Sequence, residues 1–140
     1  MFIKQLSIFV ENQFGRLEAI IEAIGKKGVN IRALSMADTT DFGILRVIVD
    51  DTAKAKEALD EIGVIAKATD VIAVYIDDKT GGLASILKLI TNAEISVEYM
   101  YAFLSRDEGK ALMVLKADDE EAAEKVLSEN GVELLNPAEL

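Results

Sequence analysis

One hydrophobic pattern occurs twice in this 140-residue chain, in the same order both times. Leu6, Ile8 and Val10 alternate with Gln5, Ser7, Phe9 and Glu11, the period-two signature of a strand with one covered face. Leu17, Ile20, Ile21 and Ile24 then fall at i, i+3, i+4 and i+7, one stripe of an amphipathic helix. Ile72, Val74 and Ile76, followed by Leu83, Ile86, Leu87 and Ile90, repeat both patterns at an offset of 66 residues (81 − 15, from Gly15 to Gly81). Chance rarely keeps a strand period and a helix period in one register. The chain reads as one architectural unit used twice, over residues 1–69 and 70–140.

Within the first unit, Val29, Ile31, Ala33 and Ser35 alternate with Asn30, Arg32, Leu34 and Met36, which predicts a second strand. Asp38-Thr39-Thr40-Asp41-Phe42-Gly43 reads as a turn, and the β-branched run over 44–49 as a third strand completing a hairpin. Asp50-Asp51-Thr52 offers cap chemistry for a second helix with its stripe at Ala55, Ala58, Leu59 and Ile62. Gly28 and Gly63 suit left-handed helix stops, and 64–68 gives a short fourth strand. The order is β-α-β-β-α-β, the split βαβ, ferredoxin-like unit. In the second unit, 95–104 and 111–115 supply the hairpin. Beyond it the match continues at an offset of 68 (127 − 59, Leu59 to Leu127), so two extra residues are expected near Lys116-Ala117. Asn136-Pro137-Ala138-Glu139-Leu140 is a tail without an assigned element. A half of about 70 residues buries only a marginal core alone. With Asp70 running directly into Val71 and no Pro/Gly/Ser linker, the halves are expected to pack as one body.

Composition removes most chemistry. There is no cysteine and no histidine, which excludes thiolate catalysis, disulfides, Ser-His-Asp triads and imidazole-metal sites. No Gly-x-Ser-x-Gly elbow, P-loop or dinucleotide-binding glycine pattern is present, so the chain is read as no enzyme. A net charge of −10 without a compensating basic cluster argues against nucleic acid and anionic membranes. No apolar run approaches the roughly 18 residues of a membrane span, and no export signal opens the chain, so a soluble, cytoplasmic protein is expected. Asp118-Asp119-Glu120-Glu121, Asp50-Asp51 and Asp77-Asp78 resemble cation clusters but fit helix starts, where carboxylates complement the dipole; no metal is expected. Tyr99, Tyr101 and Phe103 share one strand face and read first as packing residues, with a phenol hydroxyl on a ligand as the sharper alternative.

The stretch left with binding chemistry is the strand-to-helix loop Asn12-Gln13-Phe14-Gly15-Arg16-Leu17, echoed by Asp78-Lys79-Thr80-Gly81-Gly82-Leu83. The first turn of a helix carries unpaired N–H groups and partial positive charge, a natural place for a carboxylate. Gly15 lets a ligand approach the backbone, or serves only to supply a positive φ. Asn12 can cap the helix or address the ligand.

These loops, the βαββαβ order, the Gly28-Val29-Asn30-Ile31 opening of the second strand and the Asp41-Phe42-Gly43-Ile44-Leu45-Arg46 hairpin together resemble the ACT domain, a small-molecule-sensing module of amino-acid metabolism, in its tandem, aspartokinase-type form. The resemblance covers essentially the whole chain. It implies two ferredoxin-like α+β units side by side in a continuous eight-stranded antiparallel sheet with helices on one face. It implies further that a free amino acid binds at the junction of units. Its contacts would be Asn12, Gln13, Phe14, Gly15, Arg16, Leu17, Asn30 and Ile31, with Asp78, Lys79, Thr80, Gly81, Gly82, Leu83, Ser96 and Val97 as second-unit equivalents. Met36 and Phe14 would line the side-chain pocket, and Tyr99 is the aromatic candidate. The loops carry Phe14-Gly15 and Thr80-Gly81 where the family commonly has Pro-Gly. A regulatory sensor follows, with no cofactor, assembling as a homodimer and acting on a regulated enzyme partner. The alternative is an oligomerisation module without a small ligand.

Overall fold

The computed structural model of the chain describes residues 1–38, 41–104 and 108–140. Thr39 and Thr40 of the expected turn lie outside the described residues. The chain divides into two compact units, Lys4–Thr69 and Asp70–Leu140, the latter together with Met1–Ile3.

The first unit is built from β1 (Ile3–Glu11), α1 (Arg16–Lys26), β2 (Ile31–Asp38), β3 (Phe42–Val49), α2 (Thr52–Glu61) and the start of β4 (Ala66–Asp77). Its strands lie in the order β2-β3-β1-β4. Alternation turns Leu6, Ile8 and Val10 of β1 and Leu45, Val47 and Val49 of β3 toward the helices, where they meet Ile20, Ile24, Ala55 and Leu59 in one buried cluster. The other phase is covered in part: Gln5, Ala33 and Ile48 are fully buried, while Phe9 is half exposed. The buried stripe of α1 begins one turn later than its pattern suggests, since Leu17 is 40% exposed, and that of α2 ends before Ile62, which lies at the surface.

The second unit continues with the rest of β4, then α3 (Gly82–Asn92), β5 (Val97–Ala102), β6 (Lys110–Ala117) and α4 (Glu120–Glu129), its strands in the order β4-β6-β5. Ile72, Val74, Ile76, Ile86, Ile90, Leu115 and Leu127 form its core. The tail is placed as well. Leu134 bridges Val74, and Asn136 caps a 3-10 turn over Pro137–Glu139 by accepting from Ala138 N–H at 3.0 Å.

Among the described residues there are six strands, where eight were expected. Two of the eight merge, because nothing between Ala66 and Asp77 breaks the extended chain and β4 runs through unbroken. The last shrinks to the isolated bridge at Leu134. The two extra residues of the second unit lie elsewhere than expected. Glu11 pairs with Phe42 and Asp77 with Lys110, while Met36 pairs with Leu45 and Ala102 with Met113. The offset has therefore already grown from 66 (102 − 36) to 68 (110 − 42) before β6 begins. The insertion belongs to the hairpin connection between Phe103 and Lys110, not to Lys116-Ala117.

Helix ends repeat in detail. Gly28 (φ 74°) follows α1 in the left-handed region, and Gly63 and Gly131 end α2 and α4 the same way. At the matching place after α3 stands Glu94 at φ 59°, where a Cβ crowds the following carbonyl. Glu94→Gly is expected to raise stability by about 1 kcal/mol in urea unfolding, the strain of a left-handed non-glycine residue. A lower midpoint would show that the carboxylate contributes more than the strain costs.

Candidate functional site

Both strand-to-helix loops follow one hydrogen-bond plan. Gln13 N–H donates to Glu11 O (2.7 Å) and Arg16 N–H to Gln13 O (3.2 Å); Lys79 N–H donates to Asp77 O (2.9 Å) and Gly82 N–H to Lys79 O (3.0 Å). Each chain reversal ends on a glycine N-cap in the left-handed region, Gly15 at φ 79° and Gly81 at φ 83°. That conformation alone calls for glycine. No side chain caps either helix, so Asn12 does not take the capping role open to it in the sequence; it stays exposed. A Cβ placed on Gly15 or Gly81 meets nothing within 4 Å, so the space above each loop is open. Phe14 is fully exposed at the tip of the first loop.

Beneath each loop lies a pocket, at matching positions of the two units. In the first it measures about 140 Å³ and is walled by Phe9, Phe42, Val64 and Ile65, with Glu11 and Arg16 at its rim. In the second it measures about 300 Å³ and is lined by Tyr75, Asp77, Lys79, Lys110 and Glu133 over Ile86 and Val132. The equivalence rests on hydrogen bonds: Phe9 N–H donates to Ile65 O at 3.3 Å, and Tyr75 N–H to Glu133 O at 2.9 Å. Sequence reasoning missed most of these residues. The available signal was an aromatic side chain, Phe9 or Tyr75, on the polar phase of each first strand.

Residues 1–140 match the family described as ACT domain pair. The chain belongs to that family. Among solved structures, protein BT0572 from Bacteroides thetaiotaomicron is 36% identical, with 99% of this chain and 94% of that one covered at a TM-score of 0.92. The regulatory subunit of aspartate kinase from Thermus thermophilus, in a ligand-free form, is 15% identical, covers 90% of each chain and superposes at a TM-score of 0.64. The corresponding subunit from Thermus flavus is 17% identical, with 90% coverage of each chain and a TM-score of 0.61. No curated protein matches. ACT domain pairs are typically regulatory, small-molecule-binding modules. Among the described residues, no helix is long and apolar enough to cross a membrane.

In this ACT pair, the residues expected around the ligand do not all gather within one unit. Ile31 pairs with Val49, at one end of β3, whereas Phe42 at the other end pairs with Glu11 beside the first loop. Seven residue steps separate the two ends, about 23 Å at about 3.3 Å each. Asn30 and Ile31 therefore lie far from Gly15 of their own unit, as Ser96 and Val97 lie from Gly81. Their backbones are also engaged: Asn30 N–H donates to Asp50 Oδ1 (2.9 Å) and Ser96 N–H to Asp118 Oδ1 (3.1 Å). Met36 sits at the loop end, its methyl covering Gly43. Tyr99 stacks on Tyr101 at 6.5 Å between centroids, and Tyr101 and Phe103 are buried.

The acidic runs have structural tasks. Asp51 accepts from Lys54 N–H (3.1 Å) and Asp119 from Ala122 N–H (3.0 Å), each capping its helix. Glu120 accepts from Ala117 N–H at 2.9 Å and lies 3.5 Å from Lys116 Nζ, yet burial pushes its carboxyl above the usual range, and its Oε2 has no hydrogen-bond partner among the described residues. An acid with a raised folded pKa favours the protonated form when folded, so the native state is penalised above that pKa and relieved as pH falls through it. Glu120→Gln keeps an acceptor for Ala117 and is expected to raise Tm modestly at neutral pH, with the gain fading in acid. A lower Tm at neutral pH would show that the Lys116 attraction outweighs burial.

Proposed function

We propose that this ACT domain pair binds a free amino acid and acts as a regulatory sensor without catalysis of its own. The observation that carries the reading is the pair of matching loops, each with a glycine in the left-handed conformation and open space above it, in a chain of a regulatory family. The ligand would lie against Asn12, Gln13, Phe14, Gly15, Arg16 and Leu17, or against Asp78, Lys79, Thr80, Gly81, Gly82 and Leu83. In a cytoplasmic homodimer a second copy would supply Asn30, Ile31, Met36, Ser96, Val97 and Tyr99. Binding that differs in strength between two arrangements shifts their populations, and an enzyme partner that senses one arrangement is thereby regulated. The likeness to regulatory subunits of aspartate kinase supports this at the level of fold. Titration calorimetry of the purified chain with each proteinogenic amino acid tests the proposal. Saturable heat with at least one supports it; none at millimolar concentration overturns it.

A second reading has its own observation. Phe9, Phe14, Phe42 and Ile65 are at least half exposed, and apolar exposure of this kind marks interaction surfaces. As an assembly module, the chain would self-associate with no small ligand, and light scattering over a concentration series would show a mass change indifferent to amino acids.

A further inference from the structure

The two pockets beneath the loops occupy the same place in each unit but have diverged in chemistry. Where the first unit has Phe42 and Ile65, the second has Lys110 and Glu133, which form an ion pair at 2.8 Å. Where the first has Arg16 at the rim, the second has Gly82, whose missing side chain accompanies a pocket of about 300 Å³ against about 140 Å³. The second pocket is about twice the volume of the first and reaches the lower end of the usual range of small-molecule sites, roughly 300 Å³.

Its charges narrow the occupant. Lys110 Nζ also stands 5.8 Å from the centre of the Tyr75 ring, and Lys79 Nζ lies 3.8 Å from Asp77 Oδ2. Two ammonium groups and two carboxylates thus face one pocket whose net charge is zero, in a chain of net charge −10. A dianion or a dication entering there leaves two like charges of the wall facing it. A zwitterion exchanges into both ion pairs, carboxylate to lysine and ammonium to carboxylate, and leaves no charge unmatched.

We infer that the second-unit pocket is a ligand site of the chain and that its ligand is a zwitterion of amino-acid size. This rests on the proposed amino-acid sensor and places its site. The full chain, labelled with nitrogen-15, is titrated with each proteinogenic amino acid and followed by amide NMR shifts. The expected result is that the responsive amides include Tyr75, Lys110 and Glu133, and that Lys110→Met and, independently, Lys79→Met each weaken binding about tenfold or more, as loss of a charge-assisted contact does. Both lysines are well exposed, so neither variant endangers the fold. Shifts confined to residues 9–17 and 63–65, with affinity unchanged in both variants, overturn this inference and leave the sensor standing. Silence with every amino acid overturns both.

Discussion

Replacing Gly82 with alanine is expected to destabilise the chain by about 1–3 kcal/mol, the usual cost of forcing a methyl into filled space. A Cβ at this position would collide with the carbonyl oxygen of Asp77, and Ile76 Cγ2 stands 3.5 Å away. That oxygen belongs to backbone and already accepts from Lys79 N–H at 2.9 Å, so it cannot swing aside as a side-chain end would. Relief requires the loop to open, which moves Lys79 and Gly82, two walls of the second pocket. The variant should therefore lose ligand affinity along with stability. Arg16, at the matching place in the first unit, already carries a side chain, and Arg16→Ala is expected to stay within about 0.5 kcal/mol of the parent. Urea unfolding of the two variants side by side checks this. Equal, small effects would mean that the second loop relaxes more easily than its backbone contacts indicate.

The contrast between these two positions also shows what the sequence could and could not reveal. Residues that repeat the hydrophobic pattern, such as Ile20 and Ile86 or Leu59 and Leu127, were legible because burial on one helix face forces the same apolar choice in both units. The left-handed glycines were legible for a similar reason, as a backbone conformation that few residues tolerate. Strand boundaries were less so. Residues 64–77 contain no proline or glycine, and without a breaker the pattern of two short strands is also that of one long one. The misplaced insertion has the same origin, since apolar residues along β6 match β3 at either offset, and only pairing across the sheet decides between them. The pockets were hidden because they are assembled from the ends of several elements. Glu133 and Lys110 have no likeness in type to Ile65 and Phe42, so no repeat search joins them. The distance from Asn30 to Gly15 within a unit was invisible for want of a register.

A ligand that binds only the folded chain stabilises it by about 2.7 kcal/mol at about 100 times its Kd, which at this length is roughly 5–10 °C in Tm. Lys110 strengthens the case for measuring near neutral pH: its bond to Glu133 raises the ammonium pKa above the ordinary lysine value, so the charge facing the pocket persists throughout the neutral range. Thermal unfolding of the full chain, with each proteinogenic amino acid at millimolar concentration, therefore tests the account most directly. A concentration-dependent rise of several degrees with one amino acid or a small chemical group of them is the expected result. An unchanged Tm across the whole set would contradict it.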